Sequence, residues 1–144
     1  MEFETVEATW SEHGVVLSQI RHAVFVDEQG FSVEDEVDGL DAECAHVLCR
    51  LADGEVVGTG RLLPDGHIGR IAVLKPHRGN GMGAAITRKL VDVARDRQLP
   101  KVYLHSQMHA TPFYEKLGFK PFGEQFDEAG APHQGMSQEL SNDS

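Results

Sequence analysis

The sequence predicts one domain of the α/β class, of the α+β type, in which helices flank a mixed, mostly antiparallel sheet. Two strand-like segments are joined by Asp53-Gly54, a dipeptide that favours a two-residue hairpin turn. An amphipathic helical pattern runs over 82–96, with apolar residues recurring on one side. The length of 144 residues suits a single domain. We therefore expect one domain over 1–140 and a short tail over 141–144.

The N-terminal part of the chain is predicted to begin with a strand over 2–9, followed by a helix. Apolar residues recur at helical spacing from Ser11, and Gly30 favours a helix end. Ser32 to Asp35 has the capping-box form, which predicts a brief second helix. Alternating apolar residues then predict three strands, at 44–52, 55–63 and 67–74.

The C-terminal part is predicted to begin with the amphipathic helix 82–96, whose apolar side carries Met82, Ile86, Leu90 and Val93. A short buried strand follows at 102–105. Thr111-Pro112 then favours the start of a helix that ends at Gly118. Two last strands are predicted at 119–126 and 133–140, joined by a turn around 127–130. The order β-α-α-β-β-β-α-β-α-β-β implies a mixed sheet with helices on its faces.

Charge and composition limit the classes of partner. The net charge of −10 argues against nucleic-acid binding and against docking on anionic membranes. The N-terminal residues lack the basic and apolar regions of a signal peptide, and no apolar run is long enough for a membrane span. Cys44 and Cys49 would lie about 16 Å apart on one extended strand, which is too far for a disulfide. We therefore expect a cytoplasmic protein with free thiols.

Three glycines at the start of the amphipathic helix predict an anion site. A helix N-terminus carries unpaired N–H groups and a partial positive charge, and Gly79, Gly81 and Gly83 would let a phosphate approach them. A P-loop is excluded because no Gly-Lys pair is followed by Ser or Thr. The dinucleotide pattern G-x-G-x-x-G/A is met formally if Ala84 is its last member, but it lies mid-chain and the next strand ends without an acid.

The segment 78–83 also satisfies R-x-x-G-x-G/A and so resembles the acyl-CoA-binding loop of the GNAT acetyltransferase superfamily. Upstream, 71–73 resembles the splayed central strand of that family, and 113–119 resembles its C-terminal helix signature. The predicted element order agrees with the family over nearly the whole chain. Two further segments, 21–29 and 130–133, resemble the small bacterial ElaA-like branch.

The resemblance implies an N-acetyltransferase that uses acetyl-CoA and transfers the acetyl group directly within a ternary complex. The pyrophosphate would be held by Arg78, Gly79, Asn80, Gly81, Met82 and Gly83. Backbone groups of Ile71, Ala72 and Val73 would pair with the pantetheine arm, and one N–H would polarise the thioester carbonyl. Gln107 stands where many members of the family carry an Asn that contacts this arm.

The resemblance also implies catalytic roles. Tyr114 would protonate the departing sulfur, whereas its neighbour Phe113 is expected to anchor the helix in the core. Glu28 and His133 lie in segments that flank the acceptor cleft in this fold. Either could take the proton of the acceptor amine, with His133 nearer the required pKa, and an ordered water is the alternative.

Other features leave alternatives open. The acidic run 34–41 is expected to be a solvated face, and it would favour a cationic acceptor if it borders the cleft. His105 and His109 do not share a helical face, so we expect no metal. A non-catalytic acyl-CoA-binding module and a nucleotide-dependent oxidoreductase are the competing hypotheses. The sequence leaves open the acceptor, a small-molecule amine being our choice, and the oligomeric state, a homodimer being one alternative.

Overall fold

The computed structural model describes residues 2–140, so the expected tail 141–144 lies outside the described residues. Within that range the elements follow the predicted order. They are β1 Phe3–Ala8, α1 Trp10–Arg21, α2 Val33–Glu36, β2 Ala45–Leu51, β3 Val56–Leu62, β4 Ile68–Val73, α3 Met82–Asp96, β5 Lys101–Gln107, α4 Thr111–Lys116, β6 Lys120–Glu128 and β7 Ala131–Glu139.

The strands form two antiparallel sheets that meet at one point. The first has the order β1-β2-β3-β4 and the second the order β5-β7-β6, so the last strand lies in the middle of the second sheet. A parallel bridge between His67 and Tyr103 joins the sheets, and the Tyr103 N–H donates to the carbonyl of Gly66 at 3.0 Å. The predicted α+β class with a mostly antiparallel sheet is confirmed. The division into two sheets was not predicted, because it depends on the point at which β4 diverges from β5 in the folded chain.

An irregularity in β4 separates it from β5. Arg70 has a φ of 50°, which is unusual for a residue with a side chain. The register with β3 shifts there, so that Arg70 and Ile71 together face Gly60. Such a bulge bends its strand. As a result, β4 diverges from β5 beyond the His67 bridge and a cleft opens between the two sheets.

The core occupies both faces of the first sheet. Alternate side chains of β2 point to opposite faces. Val47 and Cys49 pack in the apolar cluster that contains the buried side of α3, and Leu48 packs in the cluster that contains Leu17 of α1. The apolar side predicted for the amphipathic helix is confirmed as buried. Its members are Met82, Ile86, Leu90 and Val93. The two helices therefore hold the sheet from either side and leave the cleft at its edge.

Helix α1 differs from the predicted single helix at both ends. It starts at Trp10, where Thr9 caps it by accepting a hydrogen bond from the Glu12 N–H at 3.3 Å. It continues without a break into a π-helical segment, His22–Glu28. Wider turns of this kind are frequent at functional sites, and this one carries Glu28 towards the start of α3.

No helix in the described part is both long and apolar enough to cross a membrane. The two cysteines are free thiols, as predicted. Burial raises the pKa of both thiols.

Candidate active site

The turn before α3 has the geometry of an anion site. Gly79 and Gly81 have φ values of 87° and 83°, in the left-handed region that favours glycine. A Cβ at either position would meet no heavy atom within 4 Å, so the space in front of the turn is open. The first helical bond runs from the Ala85 N–H to the Gly81 carbonyl at 3.1 Å. The amides of residues 82–84 therefore lack helical acceptors, at the positive end of the helix.

Side chains of the turn shape it and leave its backbone exposed. Arg78 donates through Nε to the Val73 carbonyl at 2.8 Å, and its other nitrogens pair with both oxygens of Glu28 at 2.5 and 2.8 Å. Asn80 donates to the carbonyl of His77 at 3.1 Å. Met82 is buried in the core. An anion at this turn would therefore meet main-chain amides first.

Both carboxylate oxygens of Glu28 are paired with Arg78. The hydrogen bonds from Arg78 hold the pKa of Glu28 below its usual value; desolvation opposes them, and the charges of Arg78 and Lys75 add to the lowering. Glu28 is also absent from the residues that line the cavity described next. The pair fastens the π-helical segment to the turn, a contact between residues 50 apart in the sequence.

The diverging edge of β4 offers free main chain. The N–H of Leu74 donates to the carbonyl of Val57 of β3 at 2.9 Å. In an antiparallel pair every second residue bonds the neighbouring strand, so Ala72 also bonds β3, opposite Thr59, and the amide of Val73 points away from β3. Of the predicted segment 71–73, the backbone of Ala72 is thus occupied. The free edge lies beside the turn, because Arg78 bonds the Val73 carbonyl.

A cavity of about 940 Å³ lies between the diverging sheets. It is lined by four of the predicted site residues, namely Ile71, Gln107, Tyr114 and His133. Phe25 and Phe31 add apolar surface from the segment that follows α1. The remaining predicted residues, namely Glu28, Ala72, Val73 and those of the turn, lie outside this lining. Sequence reasoning thus located two adjoining regions, an amide-lined turn and a cavity.

Tyr114 packs against the core while reaching the cavity. Its ring meets Phe113 and Phe119 edge-on, with ring centroids 4.9 and 6.0 Å away. Burial raises the pKa of Tyr114. The expectation that Phe113 anchors the helix in the core was wrong, since Phe113 is 41% exposed and lies over the start of α3. The anchoring contacts come instead from Tyr114, which packs against the main core cluster.

His133 is buried in β7, opposite Gln107 of β5. Its Nδ1 lies 2.8 Å from the carbonyl oxygen of Ala131, which can only accept a hydrogen bond. Nδ1 therefore carries a proton, and Nε2 of the neutral ring is left with a lone pair.

The expectation that the acidic run 34–41 is a solvated face was wrong for two of its members. Glu36 and Asp41 are buried and both pair with Arg21, which is 2% exposed. Arg61 pairs with Asp38 and with Asp41. The buried guanidinium groups of Arg21 and Arg61 thus neutralise charge on these three carboxylates. The wall of the cleft is therefore much less acidic than the sequence indicates.

The network shifts the titration of its members in consistent directions. Hydrogen bonds from Arg61 hold the pKa of Asp38 well below its usual range. Burial opposes ionisation of Asp41, but bonds from Arg21 and Arg61 outweigh it and its pKa is lowered. Arg70 donates to the carbonyls of Asp35 and Glu36 at 3.1 and 3.2 Å, which ties α2 to the bulge of β4.

Sequence reasoning missed the polar groups that line the far end of the cavity. They include His67, Arg70 and Glu128, and His105 was considered only as a metal ligand. No local pattern marks them, because each comes from a different element. Across residues 2–140, no three His, Cys, Asp or Glu side chains are gathered as a metal-binding group.

Comparisons with known proteins agree with this geometry. A sequence model of the acetyltransferase (GNAT) domain matches residues 6–140. The Bacillus subtilis protein YyaT is 38% identical over 129 residues, covering 85% of this chain and 86% of YyaT. Escherichia coli ElaA is 35% identical over 132 residues, with 86% of each chain covered.

Solved structures show the same fold. The crystal structure of E. coli ElaA superimposes with a TM-score of 0.84 at 32% identity, covering 96% of this chain and 100% of that one. An acyl-CoA N-acyltransferase from Pseudomonas aeruginosa gives a TM-score of 0.80 at 30% identity, covering 95% of this chain and 99% of that one. With its amide-lined turn, diverging strands and matched domain, this chain belongs to the GNAT acetyltransferase superfamily, in its ElaA-like branch.

Proposed function

We propose that this protein is an acetyl-CoA-dependent N-acetyltransferase that transfers the acetyl group directly to a primary amine of a small molecule. One observation carries the proposal. Helix α4 starts beside the amide-lined turn, with Phe113 4.0 Å from a Cβ built on Gly83, and it brings Tyr114 to the adjoining cavity. An anion-binding turn and a candidate proton donor therefore lie side by side.

The residues at the turn fit the diphosphate of a coenzyme A thioester. The unpaired amides of 82–84 would hold its oxygens, and Gly79 and Gly81 leave room for them. The outward edge at Ile71 and Val73, where the amide of Val73 faces away from β3, would pair with the pantetheine arm as an added strand would. Gln107, where β5 ends at the cavity, would offer its amide to the same arm.

Bound acetyl-CoA would supply the acetyl group as a thioester. A main-chain amide of the 71–73 edge would donate to the carbonyl oxygen, and a donor of this kind typically raises the rate by about 10²–10³. Tyr114 would donate its phenolic proton to the departing sulfur. Burial raises the pKa of Tyr114, so at neutral pH the phenol carries the proton that this role requires.

The proton of the acceptor amine would pass to His133 in preference to Glu28. Nε2 of His133 has a free lone pair in the neutral ring, and the residue lines the cavity. Glu28 is held by Arg78 with a lowered pKa, which makes it a poorer base. An ordered water that relays the proton to solvent is the alternative carrier.

The dimensions of the cavity and the position of the thiols support direct transfer to a small acceptor. A volume of about 940 Å³ lies in the range that small-molecule sites occupy. Cys49 is buried in β2, and Cys44 donates to the carbonyl of Leu40 at 3.2 Å. Neither thiol lines the cavity, so neither is placed to carry the acetyl group.

The test is a panel of amines incubated with acetyl-CoA, with release of the free thiol as the readout. We expect turnover with at least one amine, and a Tyr114→Phe variant should lose roughly 10²-fold in kcat because the proton donor is gone. Binding of acetyl-CoA, measured by calorimetry, should change by less than about twofold. Tyr103→Phe is the matched control, because this tyrosine bonds Asp65 and does not line the cavity.

Three outcomes would contradict the proposal. Unchanged turnover in Tyr114→Phe would remove the proton donor, and binding of acetyl-CoA without turnover on any amine would favour the non-catalytic module. In a thermal-shift assay, stabilisation by NAD and not by coenzyme A would favour an oxidoreductase.

A further inference from the structure

Rings from three elements form a row along one side of the cavity. His105 of β5 lies between His67 and Phe126, with ring centroids 4.9 and 5.1 Å away. Phe126 in turn stacks on His133, with centroids 6.0 Å apart. The row places the imidazoles of His105 and His133 against the same aromatic ring.

Glu128 lies within reach of both imidazoles. Its Oε1 is 3.0 Å from Nδ1 of His105, and its Oε2 is 3.9 Å from Nε2 of His133. An ionised carboxylate only accepts hydrogen bonds, so Nδ1 of His105 carries a proton and its Nε2 has a lone pair. Both rings are thus held in the same tautomer, His105 by Glu128 and His133 by Ala131.

The turn between β6 and β7 accounts for this placement. Glu128 pairs with Ala131 across the turn, and Phe126 pairs with His133. The two turn residues, Ala129 and Gly130, have φ values of 52° and 79°, as in a tight hairpin turn of the primed type. Left-handed backbone is strained for an alanine, and such strain often occurs at functional sites.

Other ionisable groups surround the pair. Burial, and then the nearby His105, lowers the pKa of His67, so this ring is neutral near pH 7. Tyr103, which stacks on His67, donates to Asp65 at 2.6 Å, and burial raises the pKa of Tyr103 to about 12. Tyr114 of α4 lines the same cavity. Glu128 is the one of these groups that the structure pairs with both His105 and His133.

We propose that Glu128 is a positioning residue of the acceptor site: it holds His105 in the tautomer that leaves Nε2 free, and it lies beside Nε2 of His133, the atom that accepts the proton of the acceptor ammonium. The inference rests on the proposed function. In this step an N–H bond of the ammonium breaks and an Nε2–H bond of His133 forms, while the nitrogen keeps the electron pair with which it attacks the thioester. A proton on that Nε2 faces Glu128, which is 48% exposed and can pass it to solvent.

A purely structural role for Glu128 would have little effect on the reaction. Half-exposed ion pairs contribute little to stability, so Glu128→Gln should fold normally. Asp127→Asn is the matched control, because it removes the same charge from the neighbouring exposed position of the strand. Glu128→Asp keeps the charge and tests for rescue.

The experiment measures kcat/KM against pH for the parent and the three variants on an active amine. We expect Glu128→Gln to lose about 10- to 100-fold at neutral pH and its acid limb to move to lower pH, because the carboxylate no longer stabilises the protonated ring. Asp127→Asn should follow the parent, and Glu128→Asp should recover part of the loss. Affinity for acetyl-CoA should be unchanged in all variants.

A double-mutant cycle and a spectroscopic measurement complete the test. In a His133→Ala background, Glu128→Gln should cost much less than in the parent, because the two residues act as a unit. Nitrogen-15 NMR of the parent should show both rings protonated at Nδ1. A pH profile of Glu128→Gln that matches Asp127→Asn, or a ring protonated at Nε2 alone, would overturn the inference. A parent without turnover on any amine would overturn the proposed function itself.

Discussion

Gly79 and Gly81 are the residues whose type the site depends on most directly. Each has a left-handed φ. A crowded neighbourhood is not the reason for glycine at either position, since a Cβ there would meet no heavy atom within 4 Å. The requirement therefore comes from the backbone conformation and from whatever approaches the turn. Both causes are visible in the sequence as clustered glycines before an amphipathic helix, which is why the anion site was predicted.

Gly81→Val should weaken the binding of acetyl-CoA by roughly 10- to 100-fold, since a branched side chain strains the turn and blocks the amides from the phosphate. Calorimetric titration measures the affinity. Gly54→Val is the control, because Gly54 has a φ of 93° and open surroundings in the distant β2–β3 hairpin. An affinity of Gly81→Val within twofold of the control would show that the turn does not bind the phosphate.

At the scale of elements, one buried guanidinium connects three parts of the chain. Arg21 at the end of α1 pairs with Glu36 of α2 and with Asp41 just before β2, and it lies 5.6 Å from the ring centre of Trp10. The short α2 has four residues and could not be stable by itself. Its position on the wall of the cavity therefore depends on this arginine.

Arg21→Met should lower the free energy of unfolding by about 3–5 kcal/mol, because it leaves the buried Glu36 without its partner and removes one of the two partners of Asp41. Urea denaturation at pH 7 measures the change. Arg95→Met serves as the comparison, since Arg95 makes only an exposed contact with Asp92 at 3.7 Å and should cost less than about 1 kcal/mol. Equal losses in the two variants would mean that the network does not hold α2.

At the scale of the whole molecule, the net charge of −10 is not spread evenly, because one group of acidic residues is paired with arginines. Arg21, Arg61 and Arg70 lie among Glu36, Asp38 and Asp41, so three positive and three negative groups balance along one wall of the cleft. The excess negative charge therefore lies elsewhere on the surface. Stability in acid should depend on this network more than on the net charge.

The free energy of unfolding should fall steeply as the pH drops below about 3.9, the value for Asp in an unfolded chain. The pKa of Asp38 and of Asp41 is lowered in the folded state, so their contribution is complete above that pH and is lost as the pH falls towards the folded values. Urea titrations between pH 3 and 7 test this. Asp38→Asn should be less stable at pH 7 and flatter below pH 4, whereas the exposed Asp92→Asn should retain the slope of the parent. Matching slopes in the two variants would refute the linkage.

The sequence by itself determined the features that arise from neighbouring residues. Helical spacing, the Asp53-Gly54 turn and the glycines before α3 act over a few residues, so the order of elements, the amide-lined turn and the family could all be predicted. Tyr114 could be named as a candidate because it lies at a fixed distance within one such motif. Its contact with the core, in place of the one expected for Phe113, was not predicted.

Only the tertiary structure decided which distant groups meet. Arg78 meets Glu28 across 50 residues, and His105 meets Glu128 across 23. The bulge at Arg70 opens the cleft and ties β4 to α2, and no repeat or spacing marks it in advance. The physical reason is that charge pairing and side-chain packing depend on positions in space, which the chain reaches only when both sheets and both long helices are assembled.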